Sequence, residues 1–139
     1  PEQIAALLAD GTINIAQLHG QEDAAYIARL RSLTHTPIWQ AFRIENTEDI
    51  SRANASPADL VLLDHGAGGT GERFDWALLH SMARPFVLAG GLTSQNAVEA
   101  IAKAHPYAVD ASSSCETNGV KDPAKMLAFV NAVRNTITD

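Results

Sequence analysis

Five short apolar runs alternate with helical stretches along the whole chain, at a spacing of ~25 residues, and this alternation narrows the possible folds more than any other feature. The runs cover residues 13–18, 38–42, 60–63, 86–89 and 107–109. They are brief and rich in Ile, Leu, Val and Phe, which suits strands buried on both faces of a parallel sheet. Pro37 and Pro85 stand just before two of them, where a missing N–H is tolerated. Helical patterning covers residues 1–9, 22–33, 46–53 and 75–82, a stretch capped by Thr93 or Ser94, and a closing stretch capped by Asp122 with Pro123 in its first turn. Ala25, Tyr26, Leu30 and Leu33 should face inward from the second helix, and Ala97, Val98 and Ile101 from the fifth. Met126, Leu127, Phe129, Val130 and Val133 should line the last. The reading is five parallel strands and six helices in one domain over residues 1–139, with a helix first and no strand before it.

The stretch 60–76 carries the densest chemistry. Its apolar run ends in Asp64, and His65 and a loop holding Gly66, Gly68, Gly69 and Gly71 follow. An acid leaving a strand at its carboxyl end stands where α/β folds place their reactions. Glycines allow positive φ and close approach of backbone to a ligand. No Gly-Lys-Ser/Thr follows, so this is not a nucleoside-triphosphate loop.

The net charge of -6 and a pI near 5.2 argue against nucleic acid or an anionic membrane as partner. No apolar run approaches the ~20 residues of a membrane span, and Pro1-Glu2-Gln3 lacks the layout of a signal peptide. Cys115 is the single cysteine, so no internal disulfide can form, and a reducing cytoplasm is expected. These features point to a small molecule as partner.

Two architectures compete. A five-stranded flavodoxin-like sheet suits the length, but it normally begins with a strand and places helices on both faces. A (β/α)8 barrel needs eight units and usually about 250 residues. The loops favour the barrel. Gly90-Gly91 follows one strand, and Asp110, Ser112 and Ser113 follow the next, resembling the paired phosphate-gripping loops after the last two strands of many barrels. Glycine-freed N–H groups and a helix start suit a phosphate without requiring lysine.

Four motifs, in order, resemble phosphoribosylanthranilate isomerase of tryptophan biosynthesis. Ala16-Gln17-Leu18-His19-Gly20 resembles that family's fourth strand end. Leu62-Leu63-Asp64 with Gly68-Gly69-Thr70-Gly71 and Phe74-Asp75-Trp76 resembles its sixth strand and loop, and Leu88-Ala89-Gly90-Gly91-Leu92 its seventh. Val109-Asp110-Ala111-Ser112-Ser113 with Glu116 and Gly119-Val120-Lys121-Asp122 resembles its eighth. The resemblance implies part of a (β/α)8 TIM barrel, strands four to eight, performing an Amadori rearrangement of N-(5-phosphoribosyl)anthranilate without cofactor or metal. It implies that Asp64 is the general acid, that Gly90, Gly91, Ser112 and Ser113 hold the phosphate, and that Asp110 is a further acid at the site. In this family a cysteine ending the first strand is the base. No residue here matches it, so the chain is expected to be a shortened and inactive form that self-associates through open barrel edges. Ser114-Cys115 also departs from the family's usual Gly-Val.

His19, at a strand end, could line the site, although such a histidine is more often a hydrogen-bonded structural residue. Trp39 and Trp76 are most simply packing residues. An indole-glycerol-phosphate synthase relative should show a lysine at a strand end. Lys103 lies in a helical stretch, and Lys121 and Lys125 flank the last helix start, which disfavours it. The alternative of another class is a non-catalytic phosphate-binding folding or complementation module.

Overall fold

The computed structural model describes residues 1–64 and 76–136. Its centre is one parallel sheet of β1 (Ala16–Leu18), β2 (Ile38–Arg43), β3 (Leu60–Asp64), β4 (Phe86–Ala89) and β5 (Ala108–Val109), paired strictly in chain order. Helices α1 (Glu2–Ala9), α2 (Ala24–Leu33), α3 (Thr47–Ala55), α4 (Ala97–Ala104) and α5 (Pro123–Arg134) alternate with these strands. A 3-10 helix, Trp76–Ser81, fills the place of a sixth helix between β3 and β4.

Sequential strand order decides between the two architectures. A flavodoxin-like sheet reverses direction, which sends its helices to opposite faces. Here each crossover steps the same way, and right-handed crossovers that never reverse put every helix on one face. Packing agrees. Val61, Leu63, Phe86 and Leu88 bury against residues of α3, α4 and α5, while Ala16, Leu18 and Ile38 bury against α1 and α2. Leu62, Val87 and Ala89 form a separate cluster with Trp39, Ala41 and Ala108. Alternate residues of each strand therefore fill two layers, one helix-facing and one on the opposite face, as in a barrel wall.

The strand entries are pinned from below. The Ile38 N–H donates to Asp59 Oδ2 at 2.7 Å, and Arg31 Nη2 donates to the same oxygen at 2.6 Å. Arg84 donates to the carbonyls of Ser56, Ala58 and Asp59. At the start of α3, Asn46 and Asp49 form a reciprocal capping box.

Several elements differ from expectation. The first strand begins at Ala16 rather than residue 13, because the Ile13 N–H donates to the Leu7 carbonyl and closes α1 beyond Gly11, φ 78°. In α2, Leu30 is buried and Tyr26 packs partly buried against the same core, as expected, but Ile27 joins them while Ala25 is exposed and Leu33 is 40% exposed. In α4 the buried face is Ala97, Ala100 and Ala104, and Val98 is 47% exposed. Small residues face the 3-10 helix there, which lets the two backbones approach closely. Thr93 caps a turn before α4, accepting from the N–H groups of Gln95 and Asn96, so the helix itself starts later. The stretch read as an α-helix over residues 75–82 is the 3-10 helix, with residue 75 outside the described set. Of α5, Phe129 is buried while Met126, Leu127 and Val130 are exposed, because only one flank of that helix meets α4.

Candidate active site

The carboxyl ends of the strands form one row. Asp64 pairs in register with Arg43 on one side and Ala89 on the other. Leu88 pairs with Val109, and the Asp110 N–H donates to the Leu88 carbonyl at 2.9 Å, carrying the row to the end of β5. Leu63 packs in the helix-side core and Leu62 on the opposite face. Strand alternation therefore turns Asp64 to the face away from the helices, and likewise Ala89 and Asp110. Asp64 is half-buried and Asp110 exposed. The glycine loop that begins at His65, with Gly66 to Gly71, Phe74 and Asp75, lies outside the described residues.

After β4 the chain turns through two left-handed residues, Gly90 at φ 83° and Gly91 at φ 65°. A Cβ on Gly91 would touch nothing within 4 Å, so the backbone angle, not crowding, favours glycine there. Asn96 braces this turn: its Nδ2 donates to the Gly91 carbonyl at 3.0 Å and its Oδ1 accepts from the Thr93 N–H at 2.8 Å. The loop's shape is thus held from α4 and not by the strand alone.

After β5 the loop is more structured than its polar sequence suggests. Ser113–Cys115 forms a 3-10 turn, closed by the Cys115 N–H donating to the Ser112 carbonyl at 3.0 Å. A small antiparallel hairpin follows, β6 (Glu116–Thr117) and β7 (Val120–Lys121). Its turn places Asn118 at φ 54° and Gly119 at φ 77°, the left-handed pair that an Asn-Gly turn supplies. That dipeptide was the overlooked signal. The hairpin returns Lys121 over the serine turn. Its Nζ donates to the Ser112 carbonyl at 3.0 Å, to Ser112 Oγ at 2.9 Å and to Glu116 Oε1 at 2.7 Å. Lys125 Nζ donates to the Glu116 carbonyl at 2.6 Å. Asp122 caps α5, and the Thr117 hydroxyl beside it, with the α5 N–H groups, holds its carboxyl below the usual carboxylate range.

Gly90, Gly91, Ser112 and Ser113 come from neighbouring loops at the same end of the sheet as Asp64 and Asp110. Ser112 and Ser113 are exposed, and Ser114 Oγ is buried without a hydrogen-bond partner among the described residues. His19 lies exposed after β1, whose last residue, Leu18, pairs with Gln40, well short of Arg43. By alternation from Leu18, which packs on the helix side, His19 faces the same side of the sheet as Asp64, two register rows lower. Cys115 is 6% exposed and packs in the helix-side core with Phe129, so its thiol faces away from that row. Among the described residues, no group of three or more His, Cys, Asp or Glu could hold a metal ion, and no helix is long and apolar enough to cross a membrane. A hollow of about 700 Å³ opens at the opposite end of the sheet, between Phe86, Arg84 and Tyr107, away from these groups.

A family model for N-(5'phosphoribosyl)anthranilate (PRA) isomerase matches residues 1–132. The chain is 43% identical over 138 residues to the N-(5'-phosphoribosyl)anthranilate isomerase of Endomicrobium trichonymphae, covering 96% of this chain and 68% of that protein. It superposes on the phosphoribosyl anthranilate isomerase of Thermotoga maritima with a TM-score of 0.81 at 31% identity, over 97% of this chain and 68% of the other. The same TM-score, 0.81, relates it at 29% identity to an isomerase solved in complex with reduced 1-(o-carboxyphenylamino)-1-deoxyribulose 5-phosphate, over 97% of this chain and 66% of the other. The chain spans about two thirds of the length of the proteins it matches.

Proposed function

The chain belongs to the N-(5'-phosphoribosyl)anthranilate isomerase family, and on that premise we propose that residues 1–139 carry the acid and the phosphate grip of the Amadori rearrangement of N-(5-phosphoribosyl)anthranilate. The observation that carries this reading is the row of strand ends that puts Asp64 level with the start of the Gly90 loop and with Asp110. A carboxyl group there protonates the furanose ring oxygen as the C1–O bond breaks, and the anilino nitrogen's lone pair forms the C1=N bond. A base then removes the C2 proton, giving an enolamine that tautomerises to the ketose. Gly90, Gly91, Ser112 and Ser113 offer N–H and hydroxyl donors to the phosphate, and Asp110 borders the sugar.

The base is not among these residues. The family resemblance assigns it to a cysteine at the end of a first strand, and Cys115, packed against Phe129, cannot reach a sugar C2 lying over Asp64. Residues 1–139 alone are therefore inactive on this reading, and they self-associate through β1 and β5, the two ends of the sheet. A cytoplasmic setting suits the lone thiol and a phosphorylated metabolite as substrate. The test is consumption of N-(5-phosphoribosyl)anthranilate by residues 1–139, with and without a polypeptide supplying the rest of a family-length barrel. Activity only in the combined sample supports the reading; none in either, with both parts folded, sinks it. A non-catalytic phosphate-binding module is the second reading, and that last outcome favours it.

A further inference from the structure

The Lys121 contacts go beyond the phosphate grip proposed above and rest on it. An ammonium group has three N–H donors and no acceptor, and Lys121 spends all three: on the Ser112 carbonyl, Ser112 Oγ and Glu116 Oε1, at 3.0, 2.9 and 2.7 Å. Ser112 Oγ accepts from the lysine, so its own hydrogen must point elsewhere. We infer that Lys121 is a positioning residue of the phosphate site, turning the Ser112 hydroxyl outward as a donor to a phosphate oxygen and setting a positive charge one hydroxyl away from the anion.

The surrounding geometry is consistent with a built device and not a loose surface lysine. Glu116 pairs with Lys121 directly across the hairpin, so the ladder itself holds the anchor for the ammonium. Lys125 donates to the Glu116 carbonyl from the first turn of α5, tying that anchor to the helix. The Asp122 N–H donates to the Cys115 carbonyl at 2.9 Å, locking the return strand onto the serine turn. Polarised by the ammonium, the Ser112 hydroxyl is a stronger donor than a serine facing water.

The experiment titrates the folded 139-residue chain with inorganic phosphate, following the amide signals of Gly90, Gly91, Ser112 and Ser113 by NMR. Those signals should shift saturably. Lys121→Met should weaken binding about tenfold, the scale of a lost charge-assisted hydrogen bond. Ser112→Ala should weaken it similarly, and adding Lys121→Met to Ser112→Ala should change little more, because both act through one hydroxyl. If the two losses multiply instead, the lysine acts as an independent charge and the positioning role is overturned. If Lys121→Met binds phosphate as the parent does, the inference falls while the phosphate site stands. No saturable shift in the parent chain overturns the phosphate site and this inference together. Glu116→Ala, which frees the ammonium without removing it, should also weaken binding, and reads the same device if Lys121→Met fails to fold; unchanged affinity in that variant counts against it.

Discussion

Asp64 and Ala89 stand opposite each other on adjacent strands, and this pairing sets an acid and a glycine turn side by side through the backbone ladder. The alignment is made by the backbone ladder, so it should survive replacement of the acid itself. Chemistry and architecture can therefore be separated by mutation.

Asp64→Asn keeps the shape of the side chain and removes its proton. In any form of the protein that turns substrate over, it should lower kcat by about two to four orders of magnitude, the usual worth of a positioned general acid, with KM changed little. Steady-state kinetics measure it, and a near-normal rate removes Asp64 from the mechanism.

Gly91→Ala tests the turn. Its φ of 65° is left-handed, and a Cβ finds open space, so the whole cost is backbone strain, about 1–2 kcal/mol. Urea unfolding should show a lower midpoint, and phosphate should bind more weakly. A fully stable variant with unchanged phosphate binding would mean the turn relaxes without consequence.

Acid should weaken the fold through two carboxylates. The Glu45 N–H, with Arg52 and the Asn46 N–H, holds Asp49 below the usual carboxylate value against the opposing pull of burial. For Asp59, burial pushes upward, but the Ile38 N–H and Arg31 outweigh it and the net shift is downward. A folded pKa below the unfolded one adds stability above about pH 4, and that stability is lost as pH falls through the folded value. Unfolding midpoints should be level near neutrality and drop below about pH 4. Asp49→Asn should flatten that drop; an identical acid slope in the variant would exclude Asp49 as a contributor.

Each end strand pairs on one side only among the described residues. Sedimentation of residues 1–139 should show species heavier than the 14.8 kDa chain, growing with concentration. A concentration-independent monomer counts against edge pairing.

Alkylation of Cys115 should be slow in the folded chain and fast after urea unfolding, since the thiol packs beside Phe129. Rapid labelling under native conditions would show that the 3-10 turn opens readily.

The strand positions were legible because each buried run is short, apolar and bounded by Pro, Gly or Asp. The 60–63 and 86–89 runs are matched to within a residue. Asp64, Gly90, Gly91, Asp110, Ser112 and Ser113 could be picked out as strand-end and loop residues, and the structure brings them to one end of the sheet. Helix faces were harder to read. Val98 and Leu127 belong to apolar stripes yet lie exposed, because a stripe says which residues are apolar and not how much of it a neighbour covers. Lys121 is legible in the sequence as part of the Gly119-Val120-Lys121-Asp122 motif and as a neighbour of the last helix, but not as a partner of Ser112. Its approach to Ser112 depends on a hairpin whose Asn118-Gly119 turn was in plain view.

Strand order equal to chain order also governs how the sheet can come apart. Every strand's partners are its nearest predecessors and successors in sequence, so each ladder closes a loop of similar, modest length. Loss of β1 or β5 leaves the remaining ladders whole, whereas loss of β3 severs the sheet in two. Amide hydrogens of Val61 to Leu63 should thus exchange last, those of the two end strands first, and the sheet should assemble outward from its middle, one crossover at a time.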